Sequence, residues 1–277
     1  MNADAFLAAL AEAGLPMIRA DVIGDGLLHR YRVAGDKAGS RNGWYVLHLD
    51  GASFAAFGSW KTGQSLTWAP IGTGTPTSAE RAALAARLAE ARRLRDAEQI
   101  SVQAAAAARA AALWRRSRPA HGNHPYLVQK GVQAYAVRLL GVSLVIPLRD
   151  AGGKLHSLQF IAPDGQKRFL TGGRKRGCYF AIGRPQGALC IAEGYATAAS
   201  IHEATGHAVA CAFDANNLEP VARALRGKFP RLRLILCADN DRETPGNPGV
   251  RLAEAAARAV RGFLAVPDFE EVAPCLG

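Results

Sequence analysis

Two carboxylates separated by one residue follow a short apolar run near the end of the chain. The run is LILCA (Leu234–Ala238), and the acids are Asp239 and Asp241. Residues two positions apart on an extended stretch point to the same side, so both carboxylates would face one site. Hard oxygen ligands in a loop suit Mg²⁺ or Mn²⁺ rather than zinc. The alternative is that the two acids only cap the next helix or stabilise the turn.

The C-terminal third alternates short apolar runs with helical segments. The runs ALCIAEG, HAVACAF, RLILCAD and FLAVP predict strands, and the segments between them predict helices, one of them capped by Asn216 or Asn217. This order predicts parallel strands with right-handed crossovers. Ligands of such sheets bind at the carboxyl ends of the strands. Glu193, Asp214 and Asp239 each follow a different strand. Together with Asp241 they favour a divalent-cation site, in which Asp214 is the weaker fourth acid.

A basic segment precedes these strands. The segment contains two acids, Asp150 and Asp164. Its cationic side chains are Arg149, Lys154, Lys167, Arg168, Arg174, Lys175 and Arg176. Lys and Arg side chains attract phosphates, and the Gly-rich stretch LTGGRKRG offers backbone N–H groups that could approach one closely. We expect this segment to bind nucleotide or nucleic acid. The alternative is a solvated hairpin that has no partner.

Composition favours a polyanionic partner. The chain has 277 residues, 49% of them hydrophobic, a net charge of +11 and a pI near 9.9. Such a balance points first to nucleic acid. No apolar run approaches the ~20 residues of a membrane span, and the N-terminus lacks a basic region typical of secretory signals. The five cysteines show no zinc spacing, so we expect a reducing, cytoplasmic location without disulfides.

Four parts are predicted along the chain. Hairpin-like alternation predicts a small α+β domain over residues 1–70, and an Ala- and Arg-rich stretch predicts a helical linker over 71–118, as one long helix or two stacked ones. Residues 119–187 read as strands that carry the basic segment, and residues 188–277 as the parallel-sheet domain. The predicted fold class is therefore α/β.

The segments CIAEGYATAASI and LCADNDRETPGNPGVRLAEAAA resemble the Toprim domain of bacterial primases, type IA and II topoisomerases and some nucleases. The marks of that domain are a Glu after the first strand and a D-x-D after the third. With the basic segment in front, the chain is most similar to the DNA primases of phages and plasmids, which are related to the RNA-polymerase core of bacterial primases. The resemblance implies synthesis of RNA primers from nucleoside triphosphates on single-stranded DNA, with Mg²⁺ or Mn²⁺. It also implies a replicative helicase as partner and no membrane association.

The resemblance further assigns roles to residues. Glu193, Asp239 and Asp241 would bind metal and be catalytic, with Glu193 either a metal ligand or a general base. The residues that would bind nucleotide or template are Arg149, Lys167, Arg168, Arg174, Lys175 and Arg176. Two other functions stay open, a Toprim nuclease and a non-catalytic replication module that binds single-stranded nucleic acid. The zinc-ribbon cysteines of bacterial primases are absent, and no helicase motor is predicted, because GSWKTGQS has Gln64 where a P-loop needs Lys.

Overall fold

The structure, a computed structural model, describes residues 2–18, 21–49, 53–69, 77–240 and 244–267. The chain separates into two units, Met1–Ser101 and Val102–Gly277. Their boundary falls inside one long helix, and the four-part division drawn from the sequence stays a prediction. Within the described ranges, every helix is too short or too polar to cross a membrane.

The first unit is a small α+β domain, as predicted. Its elements are α1 (Asn2–Glu12), β1 (Asp25–Tyr31), β2 (Gly43–His48), β3 (Phe54–Ser59), β4 (Gln64–Trp68) and the first part of α2 (Ser78–Arg116). The four strands pair antiparallel in chain order. Phe6 and Leu10 of α1 are fully buried against Tyr45 and Phe57 of this sheet, so the helix covers one of its faces. The Ala- and Arg-rich stretch forms a single helix, α2.

An antiparallel sheet opens the second unit and carries most of the basic segment. Its elements are β5 (Arg118–Pro119), α3 (Pro125–Lys130), β6 (Arg138–Leu140), β7 (Ser143–Arg149), β8 (Leu155–Ile161) and β9 (Lys167–Phe169). The strands pair in chain order, β5 to β9. The middle residues of β7 and β8 are buried. The cation Arg149 is the last residue of β7, and Lys167 is the first residue of β9.

A mainly parallel sheet follows. Its elements are β10 (Phe180–Ile182), β11 (Ala188–Ala192), α4 (Tyr195–Thr205), β12 (Ala208–Cys211), a 3₁₀ turn (Ala215–Asn217), α5 (Leu218–Lys228), β13 (Arg233–Cys237), α6 (Pro248–Ala259) and β14 (Phe263–Ala265). The strand order is β10-β12-β11-β13-β14. The pairs among β11 to β14 are parallel, as predicted, and β10 adds an antiparallel edge strand next to β12.

Helices cover both faces of this sheet. All five residues of the central strand β11 are buried, which is typical of parallel strands covered on two sides. Cys190 and Ala192 pack toward α4, whereas Leu189 and Ile191 pack toward α5 and α6. The chain therefore leaves β11 for one face and leaves both neighbouring strands, β12 and β13, for the other. Such a change of face opens a crevice at the carboxyl ends of the strands, where ligands of α/β sheets bind.

Candidate active site

Three of the predicted acids lie at the carboxyl edge of the parallel sheet. Ala192, the last residue of β11, is in register with Cys211 of β12 and Cys237 of β13. Glu193 continues directly from β11, and Asp214 and Asp239 follow the two neighbouring strands. Adjacent strands lie about 4.8 Å apart, so the continuations that carry these acids start close together. Asp241, the second acid of the D-x-D pair, lies outside the described residues, and its placement stays a prediction.

The Cys211 thiol ties the end of β12 to the residue that follows β11. The thiol is fully buried and donates a hydrogen bond to the backbone oxygen of Glu193 at 3.4 Å. Burial is the main cause that raises the pKa of Cys211 to about 12; a backbone hydrogen bond from Phe213 and the positive charge of Lys167 oppose this rise, and the charges of Glu193 and Asp239 add to it. The hydrogen bond holds the backbone of Glu193 against the end of β12.

Lys167 reaches the turn that carries Glu193. Its Nζ lies 4.0 Å from the position that a Cβ on Gly194 would take. Gly194 has an extended backbone and stands at the N-cap of α4, directly after the acid. Lys167, the first residue of β9, thereby brings a cation from the antiparallel sheet to the carboxyl edge of the parallel sheet.

The backbone of Asp239 packs tightly against the start of α6. A Cβ on Gly249 would lie 2.4 Å from the carbonyl oxygen of Asp239, so this close approach requires glycine. Asn247 caps α6 by accepting a hydrogen bond from the Val250 N–H at 3.4 Å, and its amide donates to Oδ1 of Asn240 at 2.8 Å. These contacts fix the backbone beside the acid. Sequence reasoning missed Gly249, although a glycine after Asn-Pro beside an acidic loop signals such an approach.

The donor set at this edge fits Mg²⁺ or Mn²⁺. Glu193 and Asp239 offer carboxylate oxygens from partly exposed positions, while the nearby Cys211 thiol is buried and keeps its proton at neutral pH. Mg²⁺ commonly takes one or two protein carboxylates and completes its shell with water and phosphate oxygens. Among the described residues, which leave out Asp241, no three His, Cys, Asp or Glu side chains form a metal-binding group. Glu193 and Asp239 are the acids that would hold the ion, with Asp241 as a predicted third.

Asp214 has partners of another kind. Its Oδ1 accepts a hydrogen bond from the backbone N–H of Asn217 at 3.1 Å and caps the 3₁₀ turn, and its carboxylate forms an ion pair with Lys175. Phe213, just before it, has a left-handed backbone (φ 73) and packs edge-to-face on Phe169 with ring centroids 6.1 Å apart. Metal binding by Asp214 stays a prediction, and the Lys175 ammonium would compete with the metal for this carboxylate.

Asn217 stands at the N-cap position of α5, as predicted, but its side chain makes no capping hydrogen bond to this helix. Asp214 caps the preceding 3₁₀ turn instead, and the Asn217 amide bonds to the turn Arg174–Gly177, which we call the basic turn, and to the end of β12. The signal for this role in the sequence is weak, because an Asn just before a helix is the usual sign of a cap.

The six predicted phosphate-binding residues divide into three pairs. Lys167 and Lys175 contact the carboxyl edge, as described above. Arg149 and Arg168 are held within the antiparallel sheet: the Nη1 of Arg149 donates to the backbone oxygen of Gly153 at 2.9 Å, and the Arg168 guanidinium lies 5.2 Å from the ring centroid of Phe160. The two remaining members of the basic turn differ in environment. Arg174 is half-buried near Asp150, and Arg176 is exposed.

Comparison with known proteins identifies the domain that forms this edge. Residues 188–268 match the family model described as the Toprim domain, and this part of the chain is a Toprim domain. Over 257 residues, 88% of the chain, the sequence is homologous to DNA primase TraC of Escherichia coli, with 42% identity to one such protein and 39% to a second. The match covers 18% of the first relative and 24% of the second, so the chain spans at most about a quarter of their length.

Solved primase structures show a more distant likeness. The primase fragment of the bacteriophage T7 primase-helicase protein aligns with 58% of this chain and 66% of its own, at a TM-score of 0.40 and 15% identity. The DnaG primase catalytic domain bound to single-stranded DNA aligns with 47% of this chain and 45% of its own, at a TM-score of 0.34 and 14% identity.

Proposed function

We propose that the chain is the catalytic core of a DNA primase that makes short RNA primers on single-stranded DNA. The observation that carries this proposal is the Toprim edge, where Glu193 and Asp239 follow paired strands and Lys167 reaches the turn after Glu193, in a chain 42% identical to part of a DNA primase. In the reaction, a 3′-hydroxyl attacks the α-phosphate of a nucleoside triphosphate and pyrophosphate leaves. A replicative helicase as partner and a cytoplasmic location belong to the same proposal.

The residues of the edge take distinct roles. Asp239 and Asp241 hold Mg²⁺ or Mn²⁺, which when bound neutralises the charge that develops on the triphosphate. Glu193 either binds the metal with these aspartates or acts as the general base that takes the proton of the attacking hydroxyl. Lys167 lies next to Glu193 and attracts phosphate to the acids.

The charge of the chain supports a polyanionic template and nucleotide. Of the net charge of +11, all but one unit belongs to residues Val102–Gly277, the unit that contains the basic segment and the Toprim domain. A uniformly basic surface would have divided the excess between the two units. Binding driven by phosphate contacts weakens steeply with salt, and we expect affinity for single-stranded DNA to do the same.

The experiment is a primer-synthesis assay on single-stranded DNA with labelled ribonucleotides and Mg²⁺ or Mn²⁺. We expect short RNA products from the natural chain and a loss of about a hundredfold or more in Asp239→Asn, because one oriented electrostatic partner of a transition state contributes on that scale. The matched control is Asp164→Asn. Asp164 is an exposed acid whose carboxylate accepts a hydrogen bond from the Gln166 N–H within its own turn.

Other outcomes would contradict the proposal. Cleavage of the DNA without RNA synthesis, lost in Asp239→Asn, would assign the same acids to a nuclease. Binding of DNA without synthesis or cleavage, unchanged in Asp239→Asn, would assign the chain to a non-catalytic replication module. Full synthesis by Asp239→Asn would remove Asp239 from the catalytic site.

A further inference from the structure

Asn217 is a buried side chain that joins three segments of the second unit. It is 3% exposed. Its Oδ1 accepts a hydrogen bond from the Gly177 N–H at 2.8 Å. Its Nδ2 donates toward the backbone oxygens of Ala212 at 2.7 Å, Cys178 at 3.0 Å and Lys175 at 3.2 Å. A single amide therefore ties the basic turn to the end of β12.

The basic turn depends on this amide for its position. Gly177 has a left-handed backbone (φ 71), which aims its N–H at Asn217. The Lys175 ammonium pairs with Asp214, and it also lies 5.1 Å from the ring centroid of Phe169. Removing the amide would take this partner from the Gly177 N–H, which is partly buried, and a donor that loses its partner away from solvent is costly. The turn would then move away from the strand end.

We propose that Asn217 is a positioning residue that holds the basic turn so that Arg174 and Lys175 bind the phosphates of the incoming nucleoside triphosphate. The choice of this substrate rests on the proposed function. A turn whose backbone is fixed at the Lys175 oxygen and at the Gly177 N–H suits a small polyanion bound in one geometry better than a nucleic-acid strand that must slide. Phosphates bound there would lie at the same sheet edge as Glu193 and Asp239.

This inference also assigns a role to Asp214. Its carboxylate is the counter-ion of Lys175 when no phosphate is bound. A bound triphosphate would take over the ammonium, and Asp214 would keep its cap on the 3₁₀ turn through Oδ1. The end of β12 would thus serve the nucleotide rather than the metal.

The test compares Asn217→Ala and Asn217→Ser with Asn216→Ala. Asn216 is the matched control, because it is the same residue type one position earlier, exposed and outside this network. Three quantities are measured for each variant: the melting temperature, hydrogen–deuterium exchange of the peptide that contains residues 174–178, and the Kd for each ribonucleoside triphosphate with Mg²⁺. Asn217→Ser keeps a small polar group, so it supplies a milder perturbation if Asn217→Ala does not fold.

We expect Asn217→Ala to raise amide exchange in the basic turn about tenfold and to raise the Kd for nucleotide by a similar factor, with Asn217→Ser intermediate and Asn216→Ala unchanged. In the primer assay, the KM for nucleotide should rise more than kcat falls, which a general loss of folding would not produce. If Asn217→Ala exchanged faster but kept its Kd for nucleotide, the positioning role would be overturned. If its amide exchange were unchanged, Asn217 would not hold the basic turn in place. A natural chain that binds no nucleotide would also overturn the inference, whereas nucleotide binding without primer synthesis would refute only the proposed function.

Discussion

Replacing Gly249 with alanine is expected to damage the acidic edge without touching a carboxylate. The new Cβ would lie 2.4 Å from the Asp239 carbonyl oxygen, and ordinary van der Waals contact begins at 3.4 Å. The two backbone segments would therefore have to separate by about 1 Å. An added methyl group in a packed site costs about 1–3 kcal/mol, which for a chain of this size lowers the melting temperature by roughly 2–5 °C.

The effect on activity is larger than the effect on stability. A misplacement of about 1 Å at a catalytic group can reduce a rate about a hundredfold. We therefore expect Gly249→Ala to remain folded at 25 °C and to lose about two orders of magnitude in primer synthesis. The Kd for Mg²⁺, measured by calorimetry, should rise as well, because the same shift moves the Asp239 side chain.

Gly227→Ala is the matched control for this experiment. Gly227 also lies in a helix, α5, but a Cβ there would meet no atom within 4 Å. Alanine is the better helix former, so this variant is expected to gain about 0.5 kcal/mol and to keep its activity. If Gly249→Ala matched Gly227→Ala in melting temperature and rate, the tight packing of α6 on Asp239 would not position the acid.

Two further predictions concern the charges around the basic turn. Asp214→Asn removes the counter-ion of Lys175, so we expect calorimetry to show a severalfold lower Kd for nucleoside triphosphate and an unchanged Kd for Mg²⁺; a weakened Mg²⁺ affinity would instead make Asp214 a metal ligand. Burial alone would raise the pKa of Asp150, but hydrogen bonds from His156 and from a backbone N–H, together with the charge of Arg174, bring it below its usual value of 3.8. Stability from this carboxylate is therefore present above pH 3.8 and is lost as the pH falls through and below that value. Asp150→Asn should unfold at lower urea than the natural chain at pH 7, and the difference should shrink as the pH falls below 3.8; a difference independent of pH would contradict this cause.

The parallel sheet was predictable from the sequence because its signals are local and repeated. Buried strands appear as continuous apolar runs, and the helices between them end at glycines such as Gly206, the left-handed C-cap of α4. A strand, a helix and a strand joined by short connections indicate parallel strands. The carboxyl ends of parallel strands lie at one edge of the sheet, which puts Glu193 and Asp239 on that edge. Composition predicted helix from Ser78 to Arg116, where neither Gly nor Pro occurs, but it left open one long helix or two stacked ones; the structure shows one.

The contacts that finish the site were not predictable, because they depend on distances between segments far apart in the chain. Asn217 lies 40 residues after Gly177, and nothing local distinguishes it from a helix cap. Phe213 adopts a left-handed backbone against the preference of its residue type, and it packs on Phe169, which is distant in the sequence. The antiparallel pairing of β10 with β12 is equally non-local.

These non-local contacts change how the acids at the strand ends should be interpreted. Counting acids at strand ends treats Asp214 as equivalent to Glu193 and Asp239, since each follows a strand of one sheet. The structure gives the ends different neighbours: β11 and β13 carry the two acids whose charges act on Cys211, whereas the end of β12 receives the basic turn and pairs Asp214 with Lys175. A metal ion and a triphosphate need opposite charges side by side. The end of the central strand β11 lies between the end of β13, which carries Asp239, and the end of β12, which receives the basic turn. The sheet thus offers negative and positive charge within two strand spacings.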